Sequence, residues 1–127
     1  MFAHMRLLTD MECARSRDPL SVSARRVLEV ATINGARDLG LADRVGSLTP
    51  GKRADLILVR TTDLNMAPLG DPVNAIVHSA QPYNVDTVVV DGRILKRRGK
   101  LTALDTEEVM REAAELLAEV RTRSGET

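Results

Sequence analysis

Apolar positions recur at helical spacing near both ends of the chain, and between them they gather into short runs broken by Gly, Pro and Asp. Phe2, Met5, Leu8 and then Met11 or Glu12 fall near one stripe with no Gly or Pro to interrupt them, which predicts a helix over residues 2–15. Asp18-Pro19 ends it. A second helix is predicted from Ser21 or Ser23 to Leu39, with Ser23 capping its first turn. Val27, Val30, Ala31 and Asn34 lie on or beside one of its faces. Gly35 costs such a helix about 1 kcal/mol relative to Ala, which implies close packing against another backbone. Gly40 supplies a left-handed stop.

The middle of the chain reads as strands and turns. Residues 41–53 form a loop in which Pro50-Gly51 suits the centre of a type II turn. Ala54 to Val59 is then a strand; Leu56-Ile57-Leu58-Val59 is apolar on both faces and is expected to be covered on both. Thr61 to Asp71 is a loop. Asp71-Pro72 opens either a short helix or a strand through Ser79, and Gln81 to Asn84 is a turn. Val85 to Val90 is a strand, Asp91-Gly92 a two-residue hairpin turn, and Arg93 to Lys96 the return. Arg98-Gly99-Lys100 makes the next turn, with Leu101 in a short strand. A last helix starts near Asp105-Thr106, where Asp105 and Glu108 resemble a capping box. Val109, Ala113, Leu116, Leu117 and Val120 give it an apolar face that must lie against something, by default the chain's own domain, with a partner helix as the alternative. The tail from Ser124 is expected to fray.

Composition narrows the function classes. The chain has 127 residues, enough for one domain with a moderate core but too few for a (β/α)8 barrel of about 250. Lys plus Arg balances Asp plus Glu at 18 each, which argues against nucleic acid or an anionic membrane as partner. Lys96-Arg97-Arg98 and Lys100 form the one candidate basic patch, and a charged hairpin end is ordinarily just solvated. No apolar stretch approaches the roughly 18 residues of a membrane span. The single cysteine, Cys13, forms no internal disulfide and fits a reducing, cytoplasmic setting; with no base nearby in sequence it reads as a buried structural thiol.

Candidate chemistry is sparse. His4 and His78 are the only histidines, and neither belongs to a metal-ligand pattern. Gly46-x-x-x-x-Gly51-Lys52 has the outward spacing of a phosphate loop. Arg53 stands where Ser or Thr is required, and the segment precedes a strand instead of opening a helix. Asp55 and Asp91 sit where carboxylates satisfy turn backbone, and Glu107 and Glu108 where they favour a helix dipole. The methionines read as packing or surface residues. No residue is assigned a catalytic, cofactor-binding or metal-binding role.

Several segments carry a family resemblance. Met1-Phe2-Ala3-His4-Met5-Arg6-Leu7-Leu8 resembles the helix after the last barrel strand of amidohydrolase-superfamily enzymes. Residues 31–41, Ala31 to Leu41, resemble that family's AT-x-NGA-x-ALGL helix. Gly46 to Val59 resembles its PGK-x-ADL return segment, and Val85 to Arg93 its final hairpin. Order and spacing agree over about residues 1 to 120. The branch it resembles holds the triazine chlorohydrolases and the nucleoside, guanine and cytosine deaminases.

The resemblance implies an α+β fold class: terminal helices of a (β/α)8 barrel plus an incomplete accessory β-sheet with a hairpin and a C-terminal helix. Residues 1–45 would be the end of the barrel, 46–104 part of a composite β-domain, and 105–127 the C-terminal helix and tail. It implies a metal-dependent parent, with zinc or iron, that hydrolyses C–N or C–Cl bonds. The metal ligands of that parent, including the Asp that ends its eighth barrel strand, would lie before Met1, so the chain alone is expected to be inactive. The alternative is a free-standing, non-catalytic interaction or scaffold module derived from such an enzyme. Uncovering five apolar strand side chains at about 1.5–3 kcal/mol each forfeits roughly 8–15 kcal/mol, the size of a whole domain's stability. A homo-oligomer formed through the exposed strand and helix faces is therefore expected.

Overall fold

A computed structural model describes residues 1–124. Helix α1 (Phe2–Ser16) is followed by α2 (Ala24–Glu29), a π-helical turn (Val30–Asn34) and α3 (Gly35–Asp38), which run on as one rod. Strand β1 (Leu56–Val59), α4 (Pro72–Asn74), a second π turn (Ala75–Ser79) and a 3₁₀ turn (Pro82–Asn84) come next. Strands β2 (Val85–Val90), β3 (Arg93–Arg97) and β4 (Lys100–Leu101) lead into α5 (Thr106–Ser124). The frayed tail expected beyond Ser124 lies outside the described residues.

The caps explain the helix starts. The Ser23 hydroxyl accepts from the Arg26 amide at 3.3 Å. The Asp71 carboxylate accepts from the Val73 and Asn74 amides, with Pro72 at the first helical position, so the helical reading of this segment holds. Both π turns have a local cause or mark. The Thr32 hydroxyl donates to the Leu28 carbonyl at 2.7 Å, competing for a ladder acceptor, and the Ala80 amide reaches back five residues to the Ala75 carbonyl. Gly40 stops the rod at φ +68. The Leu41 amide bonds the Ala36 carbonyl and the Gly40 amide that of Arg37, the pattern of a Schellman stop.

The close approach expected at Gly35 is found instead at Gly46. A Cβ on Gly35 would meet only its own rod's Val30 carbonyl, at 3.2 Å. Gly46, at φ +88, lies so near the rod that a Cβ there would stand 2.7 Å from the Ala36 Cβ. Only glycine combines that backbone angle with that clearance. Gly51 is at φ +91 and the Lys52 amide bonds the Thr49 carbonyl, as the type II turn requires.

The sheet is antiparallel in the order β1-β2-β3-β4. Both of its tight turns have two central residues at positive φ, Asp91-Gly92 and Arg98-Gly99, the twist that two-residue hairpins favour. Register places Leu56 opposite Val89, Leu58 opposite Thr87, and Val89 opposite Ile94. These side chains share one face, which Arg97 and Lys100 extend across the last pair. On the other face Val59, Val85 and Val88 meet the core.

That core is small and aliphatic. Phe2, Met5, Val27, Met66, Val77, Ala80 and Val85 bury one another, drawing on α1, α2, the middle loop, the second π turn and β2. Two expectations about cover fail here. Strand β1 is not enclosed: it is the outermost strand, and Leu58 keeps 55% of its surface in water. Helix α5 buries no residue against the chain's own domain; Leu116 stays 62% exposed and Val120 60%. The Asp105 carboxylate caps α5 by accepting from the Glu107 and Glu108 amides, while Glu108 turns toward Arg111 at 3.6 Å.

Candidate functional site

The residues with the strongest chemistry do not converge. His4, on α1, and His78, on the second π turn, are both exposed. Among the described residues no three or more His, Cys, Asp or Glu side chains gather as metal ligands. The Cys13 thiol is half-buried, not buried as expected, and sits 3.5 Å from the Pro19 carbonyl and 3.9 Å from the Ser21 hydroxyl. No base stands beside it among these contacts, so it lacks the activation a nucleophile needs.

The remaining candidates hold backbone. The Asp55 carboxylate accepts from the Asp91 amide at 2.5 Å, tying the hairpin turn to the start of β1. Lys52 does not cradle an anion; its ammonium donates to the Ala42 carbonyl and, at 3.4 Å, to that of Val45. The segment that imitates a phosphate loop is thus a clip across residues 42–52. Arg97, Arg98 and Lys100 are exposed on the sheet's far edge.

A polar knot that the sequence pattern does not disclose holds the fold's centre. Asn84, expected only as part of a turn, is fully buried. Its carbonyl oxygen accepts from the Gln81 amide at 2.7 Å and the Asn65 side chain at 2.9 Å. Its amide donates to Asp63 at 2.7 Å and to Asn65 at 3.0 Å. Asn65 also donates to the Ser79 carbonyl at 2.9 Å. Arg60 bonds Asp63 at 2.7 Å; this contact first, and the Asn84 amide second, hold the Asp63 carboxyl below its ordinary range. From α1, Arg6 donates to the Ala80 carbonyl at 2.9 Å and to Gln81 at 3.3 Å. Among the described residues no buried side-chain polar atom lacks a partner. The buried part of the knot is thus satisfied from within the chain.

Two of the hollows are apolar. A groove of about 610 Å³ runs between the rod of α2 and α3, the loop near Gly46 and the sheet, with Ala31, Leu39, Leu41, Leu48, Ile57 and Val90 among its walls. A second hollow of about 370 Å³ lies between α1 and α2, lined by Met1, Met5, Leu8, Val27 and Val30. Neither brings together polar groups suited to a small substrate.

Fold and site together define an α+β unit with open apolar flanks and, among the described residues, no cluster of metal-ligand side chains. The chain belongs to the amidohydrolase family, whose profile matches residues 1–95. It is 38% identical over 109 residues to the 5-methylthioadenosine/S-adenosylhomocysteine deaminase of Acetivibrio thermocellus, covering 86% of this chain and 25% of that one. It is 41% identical over 108 residues to the 5'-deoxyadenosine deaminase of Methanobrevibacter smithii, covering 84% and 25%. Its structure superposes on an adenosine deaminase from Xanthomonas campestris with bound zinc, at a TM-score of 0.86 and 30% identity, over 96% of this chain and 28% of that one. A zinc complex of atrazine chlorohydrolase from Arthrobacter aurescens follows at 0.76 and 26%, over 91% and 26%. The chain thus spans about a quarter of the length of the curated relatives it matches. The described residues do not fit a zinc site, since no ligand cluster forms among them. No helix among them is long and apolar enough to cross a membrane.

Proposed function

We propose that this chain forms the C-terminal framework of a metal-dependent amidohydrolase. In this reading residues 1–45 close a (β/α)8 barrel, 46–104 supply part of a composite β-domain, and 105–127 add the C-terminal helix and tail. The observation that carries it is the pairing of near-complete coverage of this chain with about a quarter coverage of its relatives. Ser23, Asp55, Asp71, Asp105 and Asn84 support it, being taken up in caps, turns and the buried knot.

The whole enzyme's reaction is proposed as hydrolytic deamination of an adenosine-type nucleoside. Support comes from the relatives at 38% and 41% identity, both named deaminases, against 26% for the chlorohydrolase. Water would add at the ring carbon bearing the amino group and ammonia would leave. Zinc or iron belongs to the rest of the enzyme in this reading, and none of the residues described here takes part in the step. Produced by itself, the chain is inactive and associates with copies of itself through its open apolar faces. The lone cysteine suits a cytoplasmic setting.

A chimera tests the reading. This chain replaces the matching quarter of the Acetivibrio thermocellus deaminase, and release of ammonia from 5'-methylthioadenosine is followed. The chimera is expected to retain zinc and activity, and this chain alone, supplied with zinc, to show neither. Turnover by the chain alone would overturn the framework role. A folded, zinc-loaded but inactive chimera would overturn its placement in a deaminase.

A further inference from the structure

The pair Asn34-Gly35 sits at a weak point of the α2–α3 rod. The π turn ends on Asn34, and the Gly35 amide divides its hydrogen bond between the Val30 and Thr32 carbonyls. One turn earlier the Thr32 hydroxyl takes a share of the Leu28 carbonyl at 2.7 Å. Gly35 itself lowers helix stability by about 1 kcal/mol relative to Ala. Together these features make local opening here cheaper than in a regular helix.

The residues at this point carry a reaction of their own. Glycine has no Cβ beside its nitrogen, so the Gly35 nitrogen can reach the Asn34 side-chain carbon once its own hydrogen bond is released. The Asn34 side-chain oxygen accepts from the Arg37 guanidinium at 2.8 Å. A cationic donor on that oxygen favours the negative charge that gathers there as the nitrogen adds. The other three asparagines lack this combination. Asn65 and Asn74 precede Met66 and Ala75, whose Cβ atoms crowd the attacking nitrogen. Asn84 precedes Val85 and is locked by its bonds to Gln81, Asn65 and Asp63.

We infer that Asn34 is a deamidation site that reacts from the folded chain through opening of the π turn. The Gly35 nitrogen bonds to Asn34 Cγ, the bond from Cγ to Nδ2 breaks, and ammonia leaves with the proton that Gly35 gives up. Water then opens the cyclic imide. Attack at the side-chain carbonyl leaves aspartate, and attack at the main-chain carbonyl leaves isoaspartate. Only water is consumed. The aspartate product faces Arg37 as an ion pair three residues apart. The isoaspartate product lengthens the backbone two residues before Ala36, which is buried with its Cβ 2.7 Å from where a Cβ on Gly46 would stand. The rod cannot shift there without losing that fit. This inference is independent of the deaminase reading and of what covers the chain's open faces.

Peptide mass spectrometry of the full chain, held at mildly alkaline pH, decides the matter. Cleavage after Arg26 and Arg37 isolates Asn34 from the other asparagines. Conversion to the acid is read by mass, and isoaspartate by enzymatic carboxyl methylation of the same peptide. Without urea, Asn34 is expected to convert ahead of Asn65, Asn74 and Asn84. At urea concentrations below the unfolding transition its rate is expected to change by less than about twofold, since a local opening exposes little surface. Gly35→Ala is expected to slow conversion by about fivefold or more in native buffer and in denaturing urea alike, the urea measurement isolating the added Cβ from the fold. An Asn34 that stays intact while another asparagine converts would overturn the inference. So would a rate that climbs with urea along the global unfolding curve, or a Gly35→Ala chain that reacts like the parent.

Discussion

Around Asn84, side chains from several separate segments close on one another until every buried side-chain polar atom is matched. Along α5 and the outer face of the sheet, leucines and valines stand in water beside unspent charge. The same chain builds both, and the difference lies in where the partners come from. The knot draws its donors and acceptors from residues 6 to 84 of this molecule, so sequence and structure are complete there. The sheet face and α5 have periodicity, caps and charge borders but no counterpart among the described residues that reaches them. Internal closure marks a region whose fold is self-sufficient, and an ordered element with nothing buried marks a region shaped for something else.

The largest expected effect is at the closed region. Asn84→Ala strips partners from the Gln81 amide, Asn65 and Asp63 together, and is expected to cost about 3 kcal/mol in urea unfolding, at 1–3 for each orphaned buried group. A loss below about 1 kcal/mol would break the contrast. Gly46→Ala comes next. It forces a side chain onto φ +88 and into Ala36, with an expected cost of about 2–3 kcal/mol.

Acid sharpens the comparison further. The Asp63 carboxyl titrates below its ordinary value in the folded state because Arg60 and Asn84 favour its charged form. Its contribution is therefore fully present above the ordinary carboxylate value and is lost as pH falls through the lowered one. The urea midpoint of the parent is expected to drop between about pH 5 and pH 2, and Asp63→Asn to flatten that decline. A variant with the parent's slope would remove Asp63 from the account. The smallest effect belongs to the open region. At concentrations where the chain is monomeric, Leu116→Ser/Leu117→Ser is expected to shift unfolding by less than about 0.5 kcal/mol. A large loss would show that α5 is held by its own domain after all.

Local grammar is readable in the sequence wherever a residue type acts on its immediate neighbours. Ser23, Asp71 and Asp105 each cap the first turn of a helix, Pro50-Gly51 and Asp91-Gly92 turn as their φ preferences require, and Gly40 stops its helix. Family membership is legible too, in Ala31 to Leu41 and Gly46 to Val59. The burial of Leu56 to Val59 and the docking of α5 are not, because periodicity says which side of an element is apolar and not what will lie against it. Asn84 escapes for a related reason. Its partners Asp63 and Asn65 lie 21 and 19 residues away, and no local spacing links an asparagine to side chains at that range. Gly35 and Gly46 differ likewise, since only the folded rod shows which of them is crowded.

Arg6 has a consequence for how the molecule is made. It leaves the ribosome well ahead of its anchor, because the carbonyl it grips belongs to Ala80, 74 positions later. Phe2 and Met5 wait equally long for Val77 and Val85. Helix α1 is therefore made before the part of its seat that Val77, Ala80 and Val85 supply. Whatever guards emerging chains in the cell has a long task at this helix, and a pause in synthesis before Ala80 would prolong that vulnerable interval.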